Sequence, residues 1–141
     1  MMEEGTCAML IKQIHSELEK NANNSLRQED LTMSQITVLM ELDRAEGNQM
    51  ELKQLERALH VAQSTAAGIV RRLEQKGFVE GFGSPEDKRI KMIRITPLGQ
   101  ACCRKSEANM RKTEDSLTAA LTDTERAILI SLLKKVRSSF S

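Results

Sequence analysis

Tryptophan and tyrosine are absent from this 141-residue chain, and phenylalanine occurs only three times. A surface that holds single-stranded nucleic acid by stacking bases on aromatic rings has almost no material here. Histidine is scarce too, with two residues, and neither a nucleophile motif nor a glycine-rich phosphate loop accompanies them. No catalytic residue is assigned, and an enzyme is not expected. The three cysteines, Cys7, Cys102 and Cys103, form no Cys-x-x-Cys pair and have no histidine at ligand spacing. No metal and no cofactor are expected, and the odd count argues against an extracellular disulfide framework. No apolar run approaches the roughly 20 residues that cross a bilayer. The opening MMEEGTCAML is acidic rather than basic, so no secretory leader and no membrane partner are expected. The cytoplasm is the default compartment.

What is present is an uneven distribution of charge. The net charge is +1, but residues 1–56 carry 5 Lys/Arg against 11 Asp/Glu, and residues 57–105 carry 10 against 4. A basic excess confined to the middle third places phosphate-neutralising charge on one lobe. A merely solvated basic face would show the same count.

Apolar spacing predicts mainly helix. Cys7, Leu10, Ile11, Ile14 and Leu18 recur at helical intervals over about 6–24, and NANNSLRQED then breaks the pattern. Thr32-Met33-Ser34-Gln35 reads as a capping box, with Leu31 placed for a hydrophobic staple. The helix it opens carries Ile36, Leu39 and Met40 and stops at Gly47-Asn48. A short helix at about 51–59 places Leu52, Leu55 and Leu59 on one face. His60-Val61-Ala62 makes a tight turn before a helix at about 63–76, with Ala66, Ile69, Val70 and Leu73 inward and Gly77 as its stop. The period then switches. Phe78–Gly83 and Ile90–Ile95 read as strands joined by a charged loop, a hairpin. Thr96-Pro97 restarts a long polar helix, and Thr122-Asp123-Thr124-Glu125 opens a last one. Short helix, turn, helix and basic hairpin make a winged helix-turn-helix. The expected fold is mainly α with a small β-hairpin, in one domain over 1–141. Its DNA-binding lobe is about 31–96, flanked by dimerisation helices at about 6–24 and 97–140.

An α-helix fits the B-DNA major groove, and its N-terminal residues commonly reach base edges. On the helix at 63–76, the face away from the apolar stripe offers Gln63, Ser64 and Thr65 as hydrogen-bonding groups. Ala67 and Gly68 allow close approach, while Arg71 and Arg72 supply charge. In the loop, Arg89 is a minor-groove or phosphate probe, and Asp87 is spaced to hold its guanidinium. Lys88 and Lys91 add phosphate attraction without sequence information. Taken alone, the loop also fits an accidental surface ion pair.

These same segments resemble the multiple antibiotic resistance regulator (MarR) family. DKRIKMIRITPLG at 87–99 is similar to its wing signature at Asp87, Arg89, Ile95, Thr96 and Gly99. RRLEQKGFVE matches at Arg72, Leu73, Glu74, Gly77, Phe78 and Val79; LTMSQITVLMEL at 31–42 and LTDTERAILISLL at 121–133 resemble the family's flanking helices. The resemblance implies a homodimeric regulator, usually a repressor, that binds a palindromic operator in double-stranded DNA. It further implies release by a small aromatic or phenolic effector in a crevice between the dimer helices and the DNA-binding lobe. His15, Met33, Met40 and Met50 lie near that crevice by resemblance; as methionines in a chain poor in aromatics, three of them fit an ordinary core equally well. The sequence departs from the family pattern at Ala62, where a capping serine is usual, and at Gly68, where arginine is frequent.

The first and last helices carry apolar stripes longer than one small lobe covers, so Leu10, Ile14, Leu18, Leu129, Leu132, Leu133 and Val136 are the dimerisation candidates. Cys7 falls where peroxide-sensing members of the family keep a reactive thiol, although the tyrosines that hold such a thiolate are missing. Redox sensing at Cys7, and a winged helix that binds protein instead of DNA, are the alternatives.

Overall fold

The computed structural model describes residues 5–140; Glu3 and Glu4, read above against a secretory leader, lie outside them. Residues 5–109 of the described chain form one compact unit and residues 110–140 a second.

The first helix, α1, runs over Cys7–Gln28, with the Thr6 hydroxyl accepting from the Met9 N–H at 3.3 Å. The expected break near residue 24 does not occur. Leu18, Ala22, Ser25 and Leu26 continue a single inward face through the asparagines, which stay exposed. Asparagine costs only about 0.7 kcal/mol or less per helical position, and burial of Leu26 outweighs that. The helix ends where Asp30 takes φ +56°, with the N–H groups of Asp30 and Leu31 returning to the carbonyls of Arg27 and Leu26.

Helix α2 (Met33–Arg44) opens with the capping box expected of Thr32 and Gln35, at 3.2 Å in both directions. Leu31 and Ile36, which flank the cap as a staple would, are both buried. A single 3-10 turn at Glu46–Asn48 leads into a three-residue strand, β1 (Gln49–Glu51), which the sequence did not announce. Helix α3 (Leu52–Leu59) and helix α4 (Gln63–Gln75) follow. The hairpin strands are β2 (Val79–Gly83) and β3 (Lys91–Ile95). The sheet is antiparallel in the order β1-β3-β2, with Met50 opposite Ile93 and Val79 opposite Ile95.

The core of the first unit gathers Val38, Leu39 and Leu42 from α2, Leu55 from α3, and Val70 and Leu73 from α4. Ile93 from β3 and Cys103 complete it. Cys103 belongs to α5 (Pro97–Thr118), whose residues up to Asn109 lie in the first unit. The Thr96 hydroxyl accepts from the Gly99 N–H and donates to the Gly77 carbonyl, at 3.2 and 2.6 Å. Arg104 then pairs with Asp43, and Lys105 with Glu29.

The second unit contains helix α6 (Asp123–Ser138), opened by the expected capping box between Thr122 and Glu125. None of its residues is buried. Among the described residues no helix is long and apolar enough to cross a membrane.

Candidate DNA-binding surface

Helices α3 and α4 are joined by His60-Val61-Ala62, and His60 ends α3 in the left-handed conformation at φ +55°. Ala66, Val70 and Leu73 bury one side of α4. That orientation leaves Gln63, Ser64, Thr65 and Arg71 exposed, with Ala67 and Gly68 half-buried beside them. Ala62 stands at the N-cap in extended conformation and offers no side-chain acceptor. The first N–H groups of α4 therefore have no capping side chain, and such groups favour an anion in front of them. Gly68 has nothing within 4 Å of where a Cβ would sit, so its face is open.

The helix closes with Gly77 at φ +79°. Its N–H returns to the Glu74 carbonyl, and that of Phe78 to the Leu73 carbonyl, each at 3.0 Å. This closure aims the chain directly into β2 and fixes the hairpin beside the helix.

The hairpin loop is itself organised. Ser84 N–H bonds to the Ile90 carbonyl, and Ile90 N–H to that of Asp87, both at 2.9 Å. Asp87 then accepts from Arg89 three times: from the backbone N–H at 3.0 Å, and from Nε and Nη2 at 3.1 Å each. The guanidinium lowers the Asp87 carboxyl pKa below its usual value, and the carboxylate raises that of Arg89. Both groups keep their charge at neutral pH. Arg89 is thus oriented while its side chain stays 91% exposed, an arrangement suited to presenting a planar cation to something outside the chain. Lys88 is exposed next to it.

Two expected members of this surface have neighbours on other elements. Lys91, exposed on β3, sits 3.1 Å from Glu74 of α4. Arg72, exposed beside Arg71, also lines a cavity with residues of α1 and α2. The four residues expected at an effector crevice do not share one cavity. Met40 and Met50 pack against the core, His15 lies on an exposed stretch of α1 beside Glu19, and only Met33 reaches the cavity that Arg72 lines.

Among the dimerisation candidates, Leu10 and Ile14 on α1 are 45% and 44% exposed. Leu129, Leu132, Leu133 and Val136 on α6 are likewise exposed, and Leu18 is half-buried. Cys7 is exposed, whereas Cys102 and Cys103 are buried. Strand β1, the Arg94 guanidinium 4.6 Å over the Phe82 ring, and the placing of Lys76 against Gln35 were not legible in the sequence, because each depends on a partner from another element.

A turn-linked helix pair with a braced cationic hairpin defines a winged helix-turn-helix regulator. The MarR family pattern matches residues 31–91. The multiple antibiotic resistance protein MarR of Salmonella typhimurium is 33% identical over 132 residues, covering 90% of this chain and 88% of that protein. A putative transcriptional regulatory protein for the hcr operon of Thauera aromatica is 40% identical over 80 residues. That match spans 56% of this chain and 48% of the relative, about half its length. Among solved structures, a mutant MarR from E. coli complexed with operator DNA superposes with a TM-score of 0.67. It shares 30% identity, with 92% of this chain and 91% of that one covered. The chain belongs to the MarR family of transcriptional regulators.

Proposed function

We propose that this protein is a cytoplasmic, homodimeric repressor that binds a palindromic operator and releases it when a small-molecule effector binds. The single observation that carries the DNA reading is the pairing of an uncapped, exposed α4 N-terminus with an Asp87-braced Arg89 on the adjacent hairpin. Gln63, Ser64 and Thr65 reach base edges or phosphates in the major groove, Ala67 and Gly68 let the helix approach, and Arg71 pairs a guanine or a phosphate. Arg89 enters the neighbouring minor groove or meets its backbone, with Lys88 adding unspecific attraction. Support from relatives is direct: the E. coli MarR neighbour was solved with operator DNA.

The exposed apolar faces of α1 and α6 support the homodimer, each being more than a solvated surface helix needs. A two-fold pair places recognition helices about 34–36 Å apart, matching a pseudo-palindrome.

The test is selection of bound sequences from a random duplex pool, followed by anisotropy titration against salt. The expected result is a palindromic consensus and a salt-dependent affinity. Arg89→Ala should weaken binding and reduce the salt slope by about one unit. Unchanged affinity and slope would remove Arg89 from the contact set, and failure of every duplex to bind at low salt would favour a protein-binding winged helix.

A further inference from the structure

The turn between α3 and α4 begins at His60, which is exposed and caps α3 at φ +55°. Its N–H returns to the Arg57 carbonyl at 3.2 Å, so it occupies the next position along the helix. Lys53, Arg57 and His60 thus follow one another at spacings of four and three, which keep residues on one helical face. Leu52, Leu55 and Leu59 turn another face into the core. All three members of the row are exposed, and none has an ion-pair partner among the described residues. The elements packed against α3 are α2, α4, β1 and β3. Most of their charges are engaged elsewhere: Glu41 with Arg44, Asp43 with Arg104, Glu74 with Lys91, and Arg94 with Glu80. Glu51 of β1 stands at the far end of α3, as its N-cap. Arg71 and Arg72 are the remaining cations of α4. Glu56, half-buried four residues before His60, makes no ion pair with it.

We propose that His60 binds an operator phosphate as the imidazolium, at the end of a phosphate-gripping row with Lys53 and Arg57, so that operator affinity rises as pH falls. The proposal rests on the DNA-binding reading above. With the N-terminus of α4 in the major groove, His60 stands at most about 10 Å of chain from Gln63. A groove about 12 Å wide has a phosphate strand on each rim within that range. From His60 the row runs back over about 10 Å of helix to Lys53. Successive phosphates of one strand advance about 3.4 Å along the duplex, so the row meets two or three of them. Phosphate is favoured over an acidic protein partner because the row leads straight into the exposed turn of Gln63, Ser64 and Thr65. His60 sets this row apart, because a histidine changes charge between about pH 5 and 8, where lysine and arginine do not. A cation is also favoured where the last carbonyls of α3 converge. A phosphate that accepts a hydrogen bond from the ring stabilises the charged form, so each His60 takes up a proton as DNA binds. The added affinity is therefore full in acid and is lost as pH rises and that proton leaves.

The experiment is an anisotropy titration of the full chain with the selected palindrome, from about pH 7.5 to about pH 5.5 at fixed ionic strength. Affinity should rise on the order of tenfold over that range, with up to about one proton taken up per subunit. His60→Asn keeps a residue that tolerates the left-handed backbone. It should flatten the profile while the thermal midpoint holds. His15→Gln, which changes the other histidine of the chain, should keep the wild-type profile. Lys53→Gln and Arg57→Gln should each reduce the salt slope by about one unit per subunit and leave the pH dependence standing. A His60→Asn protein with the wild-type pH profile would overturn the proposal, as would a profile abolished by His15→Gln. Salt slopes unchanged in both Lys53→Gln and Arg57→Gln would do the same. A palindrome bound tightly by the wild type with no pH dependence overturns this proposal and leaves the DNA-binding reading intact. No duplex bound at any pH or salt removes both.

Discussion

At the scale of single residues, two glycines make opposite demands. A Cβ on Gly99 would stand 2.3 Å from the Phe78 carbonyl oxygen and 2.7 Å from Ile95 Cγ1, one of them backbone that cannot swing aside. Gly99→Ala should therefore destabilise the fold by about 1–3 kcal/mol, as overpacking does. Gly68 faces open space in mid-helix, so Gly68→Ala should instead stabilise by about 1 kcal/mol. Urea midpoints moving in the same direction for both variants would contradict this account. Cys103 offers a separate test. Burial pushes its thiol up from an ordinary 9.0 to about 11. Because the folded value is the higher one, its contribution to stability is complete below pH 9 and is lost as pH climbs toward 11. Lysines and the raised Cys102 thiol titrate in the same window, so denaturant midpoints should fall between pH 9 and 11, and Cys103→Ala should make that fall shallower by the share that belongs to Cys103. A wild-type midpoint that stays level across that range would contradict the assignment.

At the scale of elements, the legible parts were those whose cause is local. Capping boxes at Thr32 and Thr122, the stop at Gly77 and the Asp87–Arg89 spacing are written within four residues of sequence, and the structure builds each of them. The illegible parts have distant causes. Strand β1 has only Gln49, Met50 and Glu51 to announce it, and it exists because the free edge of β3 accepts it. Helix α1 passes through residues that favour turns because Leu26 has a core to enter. Of the candidate DNA surface, the loop and the first turns of α4 were readable as a set. The placing of Lys91 against Glu74 and of Arg72 in the cavity was not, since each partner lies on another element. The missing cap of α4 gives a prediction at this scale. Ala62 already holds extended cap geometry at φ −68° and ψ 156°. Ala62→Ser should add a side-chain acceptor without moving the backbone and raise stability by about 1 kcal/mol, measured by urea denaturation. The same hydroxyl would compete with an incoming phosphate for the first-turn N–H groups, so duplex affinity should not rise with stability. A variant that gains both would show that those N–H groups do not face DNA.

At the scale of the whole molecule, the exposed apolar residues set the argument. Ile128, Leu132 and Val136 follow one another at intervals of four along α6, at 53%, 52% and 49% exposed, and Leu129 and Leu133 follow them one residue on. A stripe of this length along a 16-residue helix is what a partner helix covers. The α1 stripe of Leu10, Ile11 and Ile14 is similarly bare. A charge placed in the centre of the α6 stripe costs the monomer little, because the position is already half in water, whereas in a dimer it is buried without a counterion. Leu132→Glu should therefore shift sedimentation from dimer to monomer while leaving the helical circular dichroism signal intact. Palindrome affinity should fall by orders of magnitude with it, because one half-site retains only half of the contacts, and the salt slope should drop to about half its value. A Leu132→Glu protein that still sediments as a dimer would exclude the α6 stripe from the interface. One that sediments as a monomer yet holds the palindrome as tightly as before would show that the two recognition helices act independently.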